Sequence, residues 1–116
     1  MVTRKSAAPD VGDVVWLAHD PQAGHEQSGH RPALVLSPKA YNAATGLMLC
    51  CPVTTQVKGY PFEVTLVGSK GLKGVVLSDQ VRSMDWEARK AKMAGHAADE
   101  VVVEVLAKLK VLLPLR

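Results

Sequence analysis

The segment His25-Glu26-Gln27-Ser28-Gly29-His30-Arg31-Pro32 places an acid, an amide, a hydroxyl, two imidazoles and a guanidinium in one short stretch. Carboxylates and imidazoles can move protons. An arginine fork grips phosphate oxygens in a bidentate way. Taken alone, such a stretch is more commonly a solvated polar loop than a catalytic one. A second polar stretch, Thr54-Thr55-Gln56-Val57-Lys58, also directly follows a run of strand-forming residues. Other known chemistries are missing. The chain has no GxxxxGK[ST], no GxGxxG after a strand and no HExxH. Its four histidines, His19, His25, His30 and His96, have no metal-ligand spacing, and no metal or cofactor is expected.

Both polar stretches hang on strands. Val14-Val15-Trp16-Leu17 is rich in β-formers, with Trp16 read as core. Pro32 to Leu36 is apolar on both alternating faces and reads as a central strand. A polar turn around Asn42 to Gly46 leads into a third strand, Leu47 to Val53. Pro52 should lie near its end, at an edge or at a bulge. Phe62 to Val67 and Val75 to Met84 read as a fourth and fifth strand, separated by a glycine- and lysine-rich turn. Asp79 falls on the apolar phase of the fifth, so it is either turned out by a bulge or buried with partners. Val102, Val105, Leu106, Leu109 and Leu112 then recur at helical spacing. Asp99 and Glu100 suit the positive end of that helix, Lys108 and Lys110 the negative end, and Glu104 with Lys108 forms an i,i+4 pair. Pro114 ends the helix.

The chain has 116 residues, 47% hydrophobic and 22% charged, which fits one small domain over 1–116 with a loose arm over 1–10. A net charge of +3 is compatible with a polyanionic partner. Cys50 and Cys51 are adjacent, and neighbouring Cα atoms only ~3.8 Å apart are too close for an ordinary disulfide. Reduced thiols point to the cytoplasm. No apolar run is long enough for a membrane span or a signal peptide.

In its motifs the chain resembles the MazF/PemK/Kid family of toxin ribonucleases. The resemblance is carried, in order and without large insertions, by Gly12-Asp13-Val14-Val15-Trp16, Glu26-Gln27-Ser28-Gly29-His30-Arg31-Pro32 with Ala33-Leu34-Val35-Leu36-Ser37-Pro38, Tyr41-Asn42, Pro52-Val53-Thr54-Thr55-Gln56, Lys58-Gly59-Tyr60-Pro61-Phe62-Glu63-Val64 and Gly74-Val75-Val76-Leu77-Ser78-Asp79-Gln80-Val81-Arg82-Ser83. It implies a mostly β (α+β) fold, an SH3-like small β-barrel of antiparallel strands with a C-terminal α-helix, assembled as a homodimer. It also implies metal-independent cleavage of single-stranded RNA or mRNA by 2′-hydroxyl attack, giving 2′,3′-cyclic phosphate and 5′-hydroxyl ends. The implied partner is a cognate antitoxin with an acidic, disordered tail.

By the same resemblance Arg31 stabilises the transition state and the Thr54 hydroxyl bonds a phosphate oxygen. Glu26 is either the general base or the group that orients Arg31. His30, Gln27, Lys58 and Gln80 are candidates for RNA contact. The chain departs from the pattern at Ala18 and His19, where relatives commonly carry an acid and an aromatic. The Ser69-Lys70-Gly71-Leu72-Lys73 turn is more basic than the family leads one to expect.

Three other readings compete, the blandest of them a structural SH3-like interaction domain, which would leave the polar residues after two separate strands as coincidence. A same-fold toxin of the CcdB branch binds DNA gyrase through a tryptophan-containing C-terminus, whereas this chain ends Lys110-Val111-Leu112-Leu113-Pro114-Leu115-Arg116. A catalytically inactive RNA- or antitoxin-binding module would not need Glu26, Arg31 and Thr54 together.

Overall fold

The structure, a computed structural model, describes residues 7–18 and 30–115. Glu26 and Gln27 lie outside the described residues. The elements are β1 (Asp13–Ala18), β2 (His30–Val35), α1 (Lys39–Thr45), β3 (Leu47–Thr54), β4 (Glu63–Thr65), β5 (Val75–Leu77), a 3-10 turn (Ser78–Gln80), β6 (Arg82–Asp85), β7 (Lys92–His96) and α2 (Asp99–Leu112). The strands run antiparallel in the order β4-β5-β3-β2-β1-β7, with β6 also on β3. The mostly β, antiparallel expectation with a C-terminal helix is met. Among the described residues the ladder does not close into a full barrel: an isolated bridge, Gly68 to Ala97, joins the chain beyond β4 to the chain beyond β7.

Strand alternation divides the interior into two cores. Val14, Leu34, Cys51 and Val53 share one with Val101, Val105 and Leu109 of α2. Val15, Leu17, Ala33, Val35 and Cys50 share the other with Met48 and Trp86. The stripe that α2 buries is therefore Val101, Val105 and Leu109, while Leu106 and Leu112 of the expected stripe are exposed. Lys108 also differs from expectation: its ammonium donates to the Pro61 carbonyl at 2.6 Å. Among the described residues no helix is long and apolar enough to cross a membrane.

Several local expectations are corrected. The turn expected at Asn42 to Gly46 is the end of α1, closed by Gly46 at φ 78°, whose N–H donates to the Asn42 carbonyl. A positive φ there is one that glycine adopts without a Cβ penalty. The expected fifth strand is interrupted. On one edge, β3 pairs with β6 through Leu47–Cys50 and with β5 through Val53 and Thr54. Between them Cys51 and Pro52 have no strand partner on that edge, and the chain opposite makes the 3-10 turn. Pro52 has no N–H to offer a ladder, which fits this gap. The turn resolves Asp79 as exposed and leaves Ser78 buried.

Trp16 is 41% exposed and Trp86 4%, so the core tryptophan is Trp86. Its indole N–H donates to the Asn42 carbonyl at 2.9 Å. β7 was not foreseen, since its Lys-Met-Ala-Gly-His sequence lacks apolar alternation. It pairs with β1 across a register shift at Val14/Val15, and His96 Nδ1 meets Asp13 Oδ1 at 2.8 Å. The expected arm is already seated by residue 8. Ala8 is buried, the Pro9 carbonyl accepts from Asn42, and Asp10 accepts the N–H groups of Lys39 and Val11. Those two donors hold the Asp10 carboxyl below its ordinary pKa.

Candidate active site

Arg31 and Thr54 stand on adjacent strands. Arg31 is an exposed residue of β2 opposite Leu17 of β1, and Thr54 is the half-buried last residue of β3. β3 is held against β2 by the Ala33–Pro52, Leu34–Cys51 and Val35–Cys50 pairs. The two side chains therefore rest on paired strands, which place functional groups more rigidly than loops do.

Both side chains line a groove of about 280 Å³, together with Gln56, Lys58, Tyr60, Glu63, Asp79 and Gln80. Four of the sequence-predicted residues thus come together: Arg31, Thr54, Lys58 and Gln80. Gln80 reaches the groove because the 3-10 turn interrupts the strand, which is also what separates it from the buried Ser78. Lys58 arrives on the loop after β3. The Glu63 carboxylate fixes that loop by accepting the N–H groups of Lys58 and Gly59 at 3.0 and 2.9 Å. Thr54 Oγ1 accepts the Gln56 N–H at 3.0 Å, so the hydroxyl hydrogen remains to be donated elsewhere.

His30 is not brought in. It is exposed at the start of β2, opposite Ala18, and lines neither this groove nor its two neighbours. The calls on Glu26 and Gln27 lie outside the described residues.

Arg31 also lines the two neighbouring grooves. One, of about 430 Å³, contains Gln80, Arg82 and Arg89. The other, of about 570 Å³, contains Trp16, Thr54, Lys70 and Lys73. Among the described residues no Asp or Glu lines either of these two, whereas Glu63 and Asp79 line the central groove. Arg31 thus sits where three grooves meet, on a surface suited to an extended polyanion. Sequence reasoning missed Tyr60, Asp79, Arg82, Arg89, Trp16, Lys70 and Lys73. The basic turn was visible as a departure, but nothing local tied it to Arg31.

The cysteines are not part of this chemistry. Burial pushes the Cys50 thiol up to about 11, against the pull of Arg82 and Arg89, and the Cys51 thiol up to about 12. A protonated, buried thiol is a poor nucleophile.

Comparison with known proteins decides the family. Residues 10–113 match the family described as PemK-like, MazF-like toxin of type II toxin-antitoxin system. The chain belongs to the PemK/MazF toxin family. It is 53% identical over 105 residues to the endoribonuclease toxin MazF of Escherichia coli K12, covering 90% of this chain and 94% of that protein. It is 47% identical over 111 residues to the endoribonuclease toxin ChpB of the same organism, covering 91% and 95%. Among solved structures it resembles MazF of Deinococcus radiodurans, with a TM-score of 0.81, 57% identity and coverage of 93% and 98%. A crystal structure of MazE-MazF from that organism matches with a TM-score of 0.82 at 50% identity, covering 94% and 98%. In this PemK/MazF-family chain the matched region begins at Asp10, where the arm is already anchored, and runs through α2.

Proposed function

We propose that the chain is a sequence-specific endoribonuclease toxin that cleaves single-stranded RNA, including mRNA, and so blocks translation and growth. The observation that carries this reading is the convergence of Arg31 and Thr54, from paired strands, on a groove that also holds Lys58 and Gln80. Its relatives' names, endoribonuclease toxin MazF and ChpB, support the same activity.

The reaction is an internal transesterification. The ribose 2′-oxygen bonds to the adjacent phosphorus and the bond from phosphorus to the 5′-oxygen breaks. The 2′-hydroxyl proton leaves to a base, and the departing oxygen takes up a proton. The ends are a 2′,3′-cyclic phosphate and a 5′-hydroxyl. The Arg31 guanidinium holds the phosphate oxygens and spreads the charge that builds on them. The Thr54 hydroxyl donates to a phosphate oxygen while its own oxygen stays anchored to the Gln56 N–H. Glu26 is the base or the group that orients Arg31. Lys58 supplies phosphate affinity, and Gln80, with Gln27, contacts the RNA. These side chains carry the charge that develops, and the step calls for no metal or cofactor.

The chain works in the cytoplasm as a homodimer. Its antitoxin carries an acidic, disordered tail that wraps the toxin and blocks the site at Arg31 and Thr54. The MazE-MazF complexes among its structural relatives support such a partner.

The test is incubation of the purified protein with EDTA and a long unstructured RNA, beside Arg31→Ala, with the fragment ends mapped. The expected result is cutting at a repeated short sequence with cyclic-phosphate and 5′-hydroxyl ends, lost in the variant. Intact RNA after incubation with folded, antitoxin-free protein would overturn the reading.

A further inference from the structure

The groove on the Trp16 side of Arg31 has features that the cleavage chemistry does not use. Trp16 is exposed although its strand neighbours Val15 and Leu17 are buried. Facing the same groove are Lys70 and Lys73, carried by the turn between β4 and β5.

That turn is built and held. The Leu72 N–H donates to the Ser69 carbonyl at 3.3 Å, and the two residues between them, Lys70 and Gly71, both have positive φ, 58° and 65°. This is the φ pattern of a mirror-image β-turn, where glycine, asparagine or aspartate ordinarily stands. A lysine in the left-handed region carries a steric cost that glycine at the same position would avoid.

The turn is also tied to β7. The Ser69 N–H donates to the His96 carbonyl at 2.9 Å, and the His96 N–H donates to Ser69 Oγ at 2.8 Å. A Cβ at Gly95 would meet Ser69 Oγ and the Leu72 side chain at 3.0 and 3.2 Å, so the turn lies closely over that strand. The basic turn is therefore a fixed feature of the groove wall. Nothing in its hydrogen bonding calls for lysine at position 70, and strained positions of this kind gather where they serve a ligand.

We propose that this groove is a second RNA subsite, in which the exposed indole of Trp16 stacks a base and Lys70 and Lys73 hold the flanking phosphates. The inference rests on the ribonuclease reading and extends its footprint beyond the scissile phosphate. Three observations favour single-stranded RNA as the occupant over an acidic peptide. The groove shares Arg31, Val53 and Thr54 with the central groove, so a strand seated at the centre runs directly into it. Among the described residues no acid lines it. Its walls combine a flat aromatic face with flanking cations, the arrangement by which single strands are held without base-specific hydrogen bonds.

The test measures binding of a fluorescein-labelled, fully 2′-O-methylated single-stranded oligonucleotide, which lacks the attacking hydroxyl. It carries the mapped cleavage site with several nucleotides on either side. Anisotropy is followed across salt concentrations for the unmodified protein, Arg31→Ala, Trp16→Leu and the double variant K70G/K73Q. The double variant should bind about tenfold more weakly. Its salt dependence should be shallower by about 1.4, the sum of about 0.7 for each lost phosphate contact on a single strand. Trp16→Leu should weaken binding about fivefold or more with its salt slope kept. The melting temperature of K70G alone should be no lower than that of the unmodified protein, because glycine relieves the turn.

Unchanged affinity and slope in the double variant, beside weakened binding by Arg31→Ala, would overturn the subsite alone. So would a double variant that loses affinity only for an acidic, Glu-rich peptide. No binding by the unmodified protein would overturn the ribonuclease reading together with the subsite.

Discussion

The Glu63 carboxylate accepts the backbone N–H of Lys58 at 3.0 Å, so a residue of β4 sets the position of a loop lysine in the central groove. Its other oxygen accepts the Gly59 N–H at 2.9 Å. Glu63 therefore acts through the loop. Removing both acceptors should raise KM for RNA in Glu63→Ala by up to about thirtyfold, since hydrogen bonds of this kind contribute about 1 kcal/mol each. The turnover number should fall less, and Glu63→Gln should recover part of the loss through its remaining carbonyl oxygen. Steady-state kinetics on a short RNA checks this; a fall in kcat at unchanged KM would place Glu63 in the chemistry instead.

Thr54 offers a sharper separation of roles. Its oxygen accepts the Gln56 N–H, and its hydrogen is what a phosphate oxygen would receive. Thr54→Ser retains both and should stay within about tenfold of the parent, while Thr54→Val should lose about 10²–10³ in kcat, the usual effect of removing one donor to a developing oxyanion. Circular dichroism would confirm that the valine variant remains folded. Equal rates for the valine variant and the parent would remove the hydroxyl from the mechanism.

The two thiols predict an alkaline loss of stability. In the native state burial holds Cys50 at about 11 and Cys51 at about 12, above the ordinary thiol value. An unfolded chain releases these protons from about pH 8.5 upward, while the native chain keeps them. The unfolded state then binds fewer protons, so stability is fully present below about pH 8.5 and falls as pH rises through the native values. Chemical denaturation at pH 7, 9 and 10 should show this decline, and it should be shallower in the Cys50→Ala/Cys51→Ala protein. A decline of equal steepness in both would assign it to other groups.

Asn42 joins distant parts of the chain. Its side-chain amide donates to the carbonyls of Pro9 and Ser37 at 2.8 and 3.0 Å and accepts from Ser37 Oγ at 2.6 Å. Its backbone carbonyl receives the Trp86 indole N–H. Asn42→Ala would leave buried polar groups unpaired and should cost about 3 kcal/mol. In urea this appears as a lower midpoint at unchanged m. A shift smaller than about 1 kcal/mol would mean that the network relaxes or that water replaces the amide.

Much of the site was legible because it is written in short contiguous blocks. Arg31 and Thr54 each border an apolar run that reads as a strand, and both strands form. The missed parts have weak or ambiguous local signals. α1 is short and its C-terminal half reads locally as a polar turn, although Gly46 after it is the ordinary residue for a helix stop. β7 has almost no apolar alternation, because it is an edge strand with an exposed face. The fifth strand reads as continuous, and only the contact with β3 shows where it must break, at the stretch holding Pro52.

The sequence by itself determined the strand-rich class, the C-terminal helix and the family, and it singled out Arg31 and Thr54 as candidates. Local period states whether a side chain alternates or spirals, and contiguous motifs carry their own chemistry. Tertiary structure decided which tryptophan is buried, where Asp79 points, that Cys50 and Cys51 face different cores, and that the Ser69–Gly74 turn meets Arg31 across a groove. Each of these depends on what covers a given face, and that cover is supplied by segments far away in the chain. Trp16 and Trp86 are both strong core candidates by type. Only the packing of Asn42, Met48 and Trp86 against one face, and the open groove beside the other, separates them.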